Sequence, residues 1–444
     1  MTEHPDRMDI LLYVENDAAV DRRSMAAHLA ACAQCEAIKE EFRQIMILLG
    51  HGDVIGYFAI EDHHRGPLRN TLLSEFDAVV AEWSSADAFF LDLRNLPITT
   101  WNSYLERHPA HRTFGMVKRL LEEVEVELNR RPEYALLLVK VADQIANTLP
   151  DVECRTALGD VWKHRSNALR HLGRYEEALD AAEIAEAFYA SLLTGAFDAA
   201  QAQYTRAGVL FKMTRYAEAL TILRHAHATL TGYGDSVPLA KTIMLEAGIL
   251  IDQGDVLAAQ QRWREVLPLL ERLGDEVEQA RVLANLGECN LRLGNLEAAM
   301  DDAQRAVRRY EALRMEAEAI RSEWTIGMVH LARGEFEEGL SVLQNAAASF
   351  TLRGMTGDAG FVKLDICEEL LRREEWTDAE IIAWDLISLF TVAGVTLASV
   401  NALDYLRRAV ENREATAAVV QYVREYVTAG DPARLFEPPV SAPS

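Results

Sequence analysis

Basic residues are under-represented in this chain: its 444 positions hold 45 Lys and Arg against 69 Asp and Glu, for a formal net charge of -24. Binding along a phosphate backbone needs a positive surface, so a general nucleic-acid binder is excluded. Cysteine is equally scarce. Five scattered thiols, an odd number, do not make a disulfide framework and point to free thiols or metal ligands in a reducing compartment. Long apolar runs are missing as well, since nothing reaches the roughly 18 uninterrupted apolar residues of a membrane span. The nearest stretch, 45–60, contains His51 and Asp53. The start Met1-Thr2-Glu3-His4-Pro5-Asp6 is acidic and polar, unlike a secretory signal. A cytoplasmic location without a membrane anchor is the expectation. The remaining composition, 50% hydrophobic and 26% charged, is that of a folded protein.

What the chain does have is self-similarity. Leu172-Gly173-Arg174-Tyr175-Glu176-Glu177-Ala178-Leu179 is followed by Met213-Thr214-Arg215-Tyr216-Ala217-Glu218-Ala219-Leu220, and related segments begin at Gly254, Gly294, Gly334 and Glu374. A bulky residue stands at 175, 216, 256, 296, 336 and 376, at intervals of 41, 40, 40, 40 and 40. Three residues after each comes a small one (Ala178, Ala219, Ala259, Ala299, Gly339, Ala379). Twelve residues before that lies a second small slot: Ser166, Ala207, Ala247, Gly287, Gly327 and Cys367. Two slots held in phase six times describe a helix, a short turn and a second helix, with the small residues letting the pair cross closely.

This pattern resembles the tetratricopeptide repeat, whose turn is carried here by Gly173, Tyr175 and Ala178 and whose spacing between small residues is kept throughout. The resemblance covers about 150–393. It implies an all-α fold, a tetratricopeptide-type α-solenoid wound as a right-handed superhelix of helix pairs. The period is 40 residues instead of about 34, which predicts longer helices or longer turns; 230–235 and 352–357 have the composition of such turns. Pro132-Glu133-Tyr134, 41 residues before Tyr175, predicts a degenerate first repeat over 113–149. Two further helices, near 397–410 and 412–428, would cap the array within 394–430, and 431–444 reads as a disordered tail.

Grooves lined by the first helices of such repeats bind partners. Six residues before the first small slot stand Lys241, Arg281 and Arg321, which would form a ladder of positive charge. Lys163, Tyr204 and Trp324 lie three residues further on, and Asn167 and Glu288 hold the position after the small slot. The resemblance implies a protein or peptide ligand, acidic or with a terminal carboxylate, because peptide-binding members carry Lys, Arg and Asn at such places. An ordinary solvated helix face is the other reading of the same residues.

Residues 1–50 carry a different signal. His28-Leu29-Ala30-Ala31-Cys32-Ala33-Gln34-Cys35 sets a histidine and a cysteine four apart on one helix face, with a second cysteine three further on. With His4 upstream the donors make a Cys2His2 set, the kind found in structural zinc sites; His51 or water are the other candidates for the fourth position. The cluster resembles the zinc-finger anti-sigma family, with Ile10-Leu11-Leu12-Tyr13 in the place of its first helix and His28, Cys32 and Cys35 on its later ligands. That resemblance implies a structural Zn2+ and a sigma factor as the partner of this module. It departs from the family at Glu15-Asn16-Asp17 and in a Tyr13 to His28 spacing one residue short. Cys154, Cys289 and Cys367 lie on repeat helices as small core residues.

Between the two parts, 51–112 reads as a helical connector with helices around Thr71–Trp83 and Ala86–Leu93, interrupted by Pro97 and Pro109. Glu61-Asp62-His63-His64 and His108-Pro109-Ala110-His111 have metal-binding residue types but read as solvated loops. Phosphate-binding loops, dinucleotide fingerprints, metalloprotease motifs and nucleophile elbows are absent, so no enzyme is expected. The expected organisation is a zinc module (1–50), a connector (51–112), a repeat array (113–393) and a cap. The expected function is a cytoplasmic zinc-binding regulator that holds a sigma factor through its N-terminal module and a protein or peptide in its groove. A protein-interaction scaffold whose zinc is only structural is the alternative.

Overall fold

The computed structural model describes residues 24, 25, 28, 29, 32, 35, 81–193, 195–234, 236–429 and 436–437. All regular structure among them is helical, and no described helix is long and apolar enough to cross a membrane. The chain forms two compact units, 1–249 and 250–444.

The first unit contains α1 (81–94), α2 (Trp101–Arg107), α3 (Phe114–Glu127), α4 (Pro132–Ala146), α5 (Asp151–His171), α6 (Tyr175–Ala190), α7 (Ala196–Lys212) and α8 (Tyr216–Thr231). The unit boundary falls inside α9 (Val237–Asp252). α1 is unbroken from 81 to 94, where the sequence suggested two helices meeting near 84. It belongs to a core: Phe90 and Leu93 of α1 and Trp101 and Leu105 of α2 are buried with Met116, Leu120 and Val124 of α3 and Leu138 of α4. The Glu82 carboxylate also accepts a 2.5 Å hydrogen bond from the Gly115 backbone N–H at the start of α3. Residues 81–107 are thus built into the front of the helical array.

The second unit contains α10 (Val256–Leu273), α11 (Glu276–Arg292), α12 (Leu296–Ala312), α13 (Glu316–Ala332), α14 (Phe336–Leu352), α15 (Thr356–Arg372), α16 (Trp376–Val392), α17 (Leu397–Glu411) and α18 (Ala417–Ala429). Here the origin of the 40-residue period is visible. From α11 to α16 every helix has 17 residues and every turn between helices has three. Two such helices and two such turns fill one period, so the extra length relative to the usual repeat lies in the helices. The segment 352–357, expected as a long turn, is a three-residue turn, Arg353–Met355, flanked by helix.

Each turn closes the same way. One residue of it is left-handed, the second in every turn except the two-residue 274–275, where it is the first: Gly254, Gly274, Gly294, Arg314, Gly334, Gly354, Glu374 and Gly394 all have φ between 57° and 82°. The spacing is 20 residues, twice the frequency seen in the sequence. The third turn residue sends its N–H back to a carbonyl five residues earlier, as from Asn295 to Asn290 at 2.8 Å and from Glu335 to His330 at 2.9 Å. The second sends its N–H three back, as from Gly294 to Leu291 at 3.0 Å. These are the paired bonds of a Schellman motif, which satisfy the carbonyls left open at a helix end. At Asp255 and Asp275 the last turn residue also caps the next helix, its carboxylate accepting from the backbone N–H of Ala258 and Glu278 at 3.1 Å.

Between the two helices of a pair the small slots are closed to solvent. Ser166, Ala178, Ala207, Ala219, Ala299, Cys367 and Ala379 are fully buried. Ser166 satisfies its hydroxyl by donating to the Ala178 carbonyl at 2.7 Å. A Cβ on Gly287 would stand 3.2 Å from the Ala303 backbone nitrogen, which accounts for a residue without one at this crossing. Cys289 and Cys367 are buried, and burial pushes their thiols up to about 11 and about 12; Cys154 is half-buried. The final pair departs from the pattern. α18 begins at 417, five residues later than expected, after the non-helical 414–416, and it packs against α15 as well as α17.

Candidate functional site

Three groups of side chains carry chemistry. The first, in the first unit, is built around Asp160 on α5. Its carboxylate is buried and accepts from Lys118 Nζ of α3 at 2.7 Å and from Tyr189 Oη of α6 at 2.6 Å, with Lys163 Nζ at 3.4 Å. Burial alone would raise this carboxyl; the charges of Lys118 and Lys163, with the hydrogen bonds from Lys118 and Tyr189, hold it well below the usual carboxylate range. Tyr189 shifts the other way, its hydroxyl raised by burial and by Asp160.

Four of the expected partner-binding residues lie in this unit: Lys163 and Asn167 on α5, Tyr204 on α7 and Lys241 on α9. His164 Nε2 approaches Glu125 at 3.2 Å, and its Nδ1 lies 2.8 Å from the Asp160 carbonyl oxygen. The Glu125 carboxyl is held below its ordinary value first by the hydrogen bond with His164 and then by the charges of His164, Lys163 and Lys241. Lys163 and Lys241 therefore act on one carboxylate from different first helices. Asn167, Lys163 and Tyr204 are half-buried and Lys241 is exposed.

The second group, in the second unit, was expected to be basic and is mixed. Arg281 is paired with Glu278 at 2.7 Å and Arg321 with Asp358 at 3.2 Å, so each charge is already answered by a carboxylate. Trp324 donates its Nε1 hydrogen to Asp365 of α15 at 2.7 Å. Asp365 and Glu368 stand two before and one after the small residue Cys367, on the first-helix face, and both are buried. α18 covers them. Arg424 pairs with Asp365, Gln421 donates to Glu368, and Arg372 of α15 also pairs with Glu368. Burial raises the Asp365 carboxyl, and Arg424 and the Trp324 hydrogen bond oppose it.

Most acidic residues of a repeat lie on solvated faces. Asp160, Glu246, Asp365 and Glu368 are buried instead. Each of the two aspartates lies on a first-helix face, and their principal partners are 42 and 59 residues away in the chain. Only the slot phase hinted at them: Asp365 and His164 occupy the same place relative to the small residue.

The third group is His28, Cys32 and Cys35. One donor atom from each lies within 4.8 Å of the others, and His28 Nε2 is 3.4 Å from Cys35 Sγ. Cys35 is buried, and burial together with Cys32 raises its thiol. An imidazole and two sulfurs converging at this range suit a soft, tetrahedral cation. His4 and His51, the candidates for a fourth ligand, lie outside the described residues, as do 10–13, 61–64 and 438–444. The other histidine pair is not solvated as expected. His111 stacks on Phe89 with centroids 4.0 Å apart, and His108 packs 4.3 Å from the Tyr104 ring with its Nδ1 2.8 Å from the Tyr104 carbonyl oxygen.

Comparison with known proteins places the repeats. The tetratricopeptide repeat family model matches residues 238–312. No curated protein matches the chain. Among solved structures, the chain is similar to a signal-transduction ATPase with a tetratricopeptide repeat sensor from Pyrococcus horikoshii, with TM-score 0.53 and 14% identity over 78% of this chain and 52% of that one. Aspartyl phosphate phosphatase F from Bacillus subtilis gives TM-score 0.49 and 12% identity over 88% of this chain and 96% of that one. A Rap protein solved with competence and sporulation factor gives TM-score 0.45 and 12% identity over 80% of this chain and 99% of that one. At these identities the likeness is one of fold, an all-helical solenoid of tetratricopeptide type.

Proposed function

We propose that the chain is a protein-interaction scaffold whose helical repeats bind protein or peptide segments on their first-helix faces. One observation carries this reading. Apolar and small side chains are buried between helices, whereas the first-helix face of the first unit presents Lys163, Asn167, Tyr204 and Lys241 at or near the surface around a carboxylate network. Such a face offers hydrogen bonds and charge without a reacting centre. It suits recognition of a segment whose own acidic groups replace Glu125 beside Lys163 and Lys241.

The test is affinity capture from the native host with the intact chain and with a Lys163→Glu, Tyr204→Ala, Lys241→Glu variant. A protein retained by the first and lost by the second, with far-UV circular dichroism unchanged, supports the scaffold. A capture profile unchanged by the triple substitution would remove the first-unit face from the reading.

A second reading is favoured by the convergence of His28, Cys32 and Cys35. In it these three residues hold a structural Zn2+ with a fourth ligand, His4 by sequence, and the module so formed holds a sigma factor. Zinc would supply a tetrahedral cross-link for a segment too short to build a large core. Zinc content and sigma-factor capture, each measured with and without residues 1–50, separate this reading from the plain scaffold.

A further inference from the structure

We propose that the first-helix face of α13 and α15 is a receptor for an arginine-bearing helix of a partner protein, and that α18 holds this site in cis until such a helix displaces it. The inference rests on the scaffold reading and names the partner class for the second unit.

The occupant is visible. α18 is a 13-residue helix that follows three non-helical residues, 414–416. It lays Val420, Val423, Tyr426 and Val427 into the core of the second unit. Those positions are three, three and one apart, the stripe of an amphipathic helix lying in a groove. Beside the stripe Gln421 reaches Glu368 and Arg424 reaches Asp365. Elsewhere in the unit the second helix packs on its own first helix and on the first helix that follows, but α18 packs on α17 and on the earlier first helix α15.

A helix needed only to close the array does not require an ion pair at a largely buried carboxylate, with the Asp365 side chain 10% and that of Arg424 21% exposed. Aliphatic residues of the same volume give equal or greater stability, whereas a buried pair discriminates strongly between an occupant that supplies the cation and one that does not. Asp365 accepts from Trp324 and pairs with Arg424, so any helix lying here has to bring a positive group to the same point. The fit of the present occupant is also incomplete: Arg424 Nε is buried without a hydrogen-bond partner. The partner helix carries aliphatic residues at i, i+3 and i+7, glutamine or another donor at i+1 and arginine at i+4, the pattern of 420–427.

The experiment uses the full chain and a fluorescent synthetic peptide of residues 414–437. Arg424→Glu sets like charges against Asp365 and Glu368 and releases α18. The variant is expected to bind the peptide at least tenfold more tightly than the intact chain. Asp365→Asn added to it should return binding to the intact level, and a peptide carrying Arg424→Ala should lose at least tenfold. Hydrogen exchange on the unaltered chain supplies a measurement that needs no variant: amides of α18 should exchange at least tenfold faster than those of α15 and α16, and added peptide should leave α15 protected. Equal peptide binding by the intact chain and a folded Arg424→Glu variant overturns the proposal, as does a single exchange rate for α15, α16 and α18. A concentration-dependent dimer with α18 exchanged between copies assigns the site to a second copy and overturns the partner reading. Host proteins captured through Lys163, Tyr204 and Lys241 but indifferent to Arg424→Glu would sink this inference alone and leave the scaffold standing.

Discussion

If the left-handed residue recurring every 20 positions is what closes the helices, its chemistry should set stability in a direction that changes from site to site. Gly294 has φ of 75°, and a Cβ added there meets nothing within 4 Å. Gly294→Ala therefore probes backbone conformation without a clash. A left-handed non-glycine residue costs roughly 1–2 kcal/mol, and restricting the unfolded chain returns about 0.4–1 kcal/mol of it. The net expectation is a loss of about 0.5–1 kcal/mol. Gly254 and Gly334, at φ of 82° and 79°, also have open space where the Cβ would go. The triple alanine variant should then lose about 1.5–3 kcal/mol if the sites add. Glu374 holds the same turn position with φ of 60°. Glu374→Gly relieves the Cβ contact, and the change should be between neutral and about 1 kcal/mol stabilising by the same two terms.

Urea unfolding followed by far-UV circular dichroism reads the difference, provided the slope with denaturant stays constant, so that a shifted midpoint means shifted stability. Because repeats depend mostly on their neighbours, amide exchange at α11 and α12 localises the loss in Gly294→Ala. A stabilised Gly294→Ala, or a Glu374→Gly that loses more than about 1 kcal/mol, would show that the turn is set by something other than the left-handed constraint.

Three further outcomes follow from the described geometry. Asp160→Asn strips the counter-charge from Lys118 and should destabilise the first unit by about 3 kcal/mol. Because the Asp160 carboxyl is depressed in the fold, its contribution is present above the unfolded value near 4 and is lost as pH falls further toward the folded one; urea midpoints between pH 5 and pH 2 should fall more steeply for the natural chain than for Asp160→Asn. Gly159→Ala places a Cβ 2.6 Å from Tyr189 Cε1, and displacing that ring from Asp160 should cost about 1–3 kcal/mol; a thermal midpoint within about 1 °C of the natural chain would mean the ring yields freely. Cys35→Ser should release one equivalent of zinc, read by elemental analysis, while the helicity of 113–429 is kept. A natural chain purified without metal would remove the zinc reading altogether.

The repeat was legible because it is local. A helix pair needs its small residues and its turn at fixed separations, and those separations survive replacement of the residue itself. Thr214 and Glu374 stand where glycine stands elsewhere, yet the phase of 173, 214, 254, 294, 334 and 374 is unbroken. The second set of turns, at 274, 314, 354 and 394, was less visible because no bulky-then-small signature follows it. The late start of α18 shows the same limit. The left-handed position recurs at Arg413, 39 residues after Glu374, but no glycine or proline marks it, and 414–416 read as helix.

The site was legible only in part, for a reason that lies in distance along the chain. Position within a repeat picked out the first-helix faces, and Lys163, Trp324 and the rest do lie on first helices. Polarity could not be read from one helix at a time. Arg281 and Arg321 looked like free charges until Glu278 and Asp358 were set beside them, and Asp365 looked like one more surface acid among 69 acidic residues. A carboxylate at a groove slot becomes meaningful only with its partner, and Arg424 approaches Asp365 from 59 residues downstream. Single-face reasoning therefore located the first-helix face of the second unit but not the carboxylates that answer its charges. In the first unit two lysines, Lys163 and Lys241, lower one carboxyl, that of Glu125, whereas in the second the largely buried Asp365 meets one arginine, Arg424. On that contrast the two faces should differ in ligand: an acidic segment for the first and a helix bearing arginine for the second, so that titrating salt should weaken both while exchanging the charge of a single peptide should move its binding from one unit to the other.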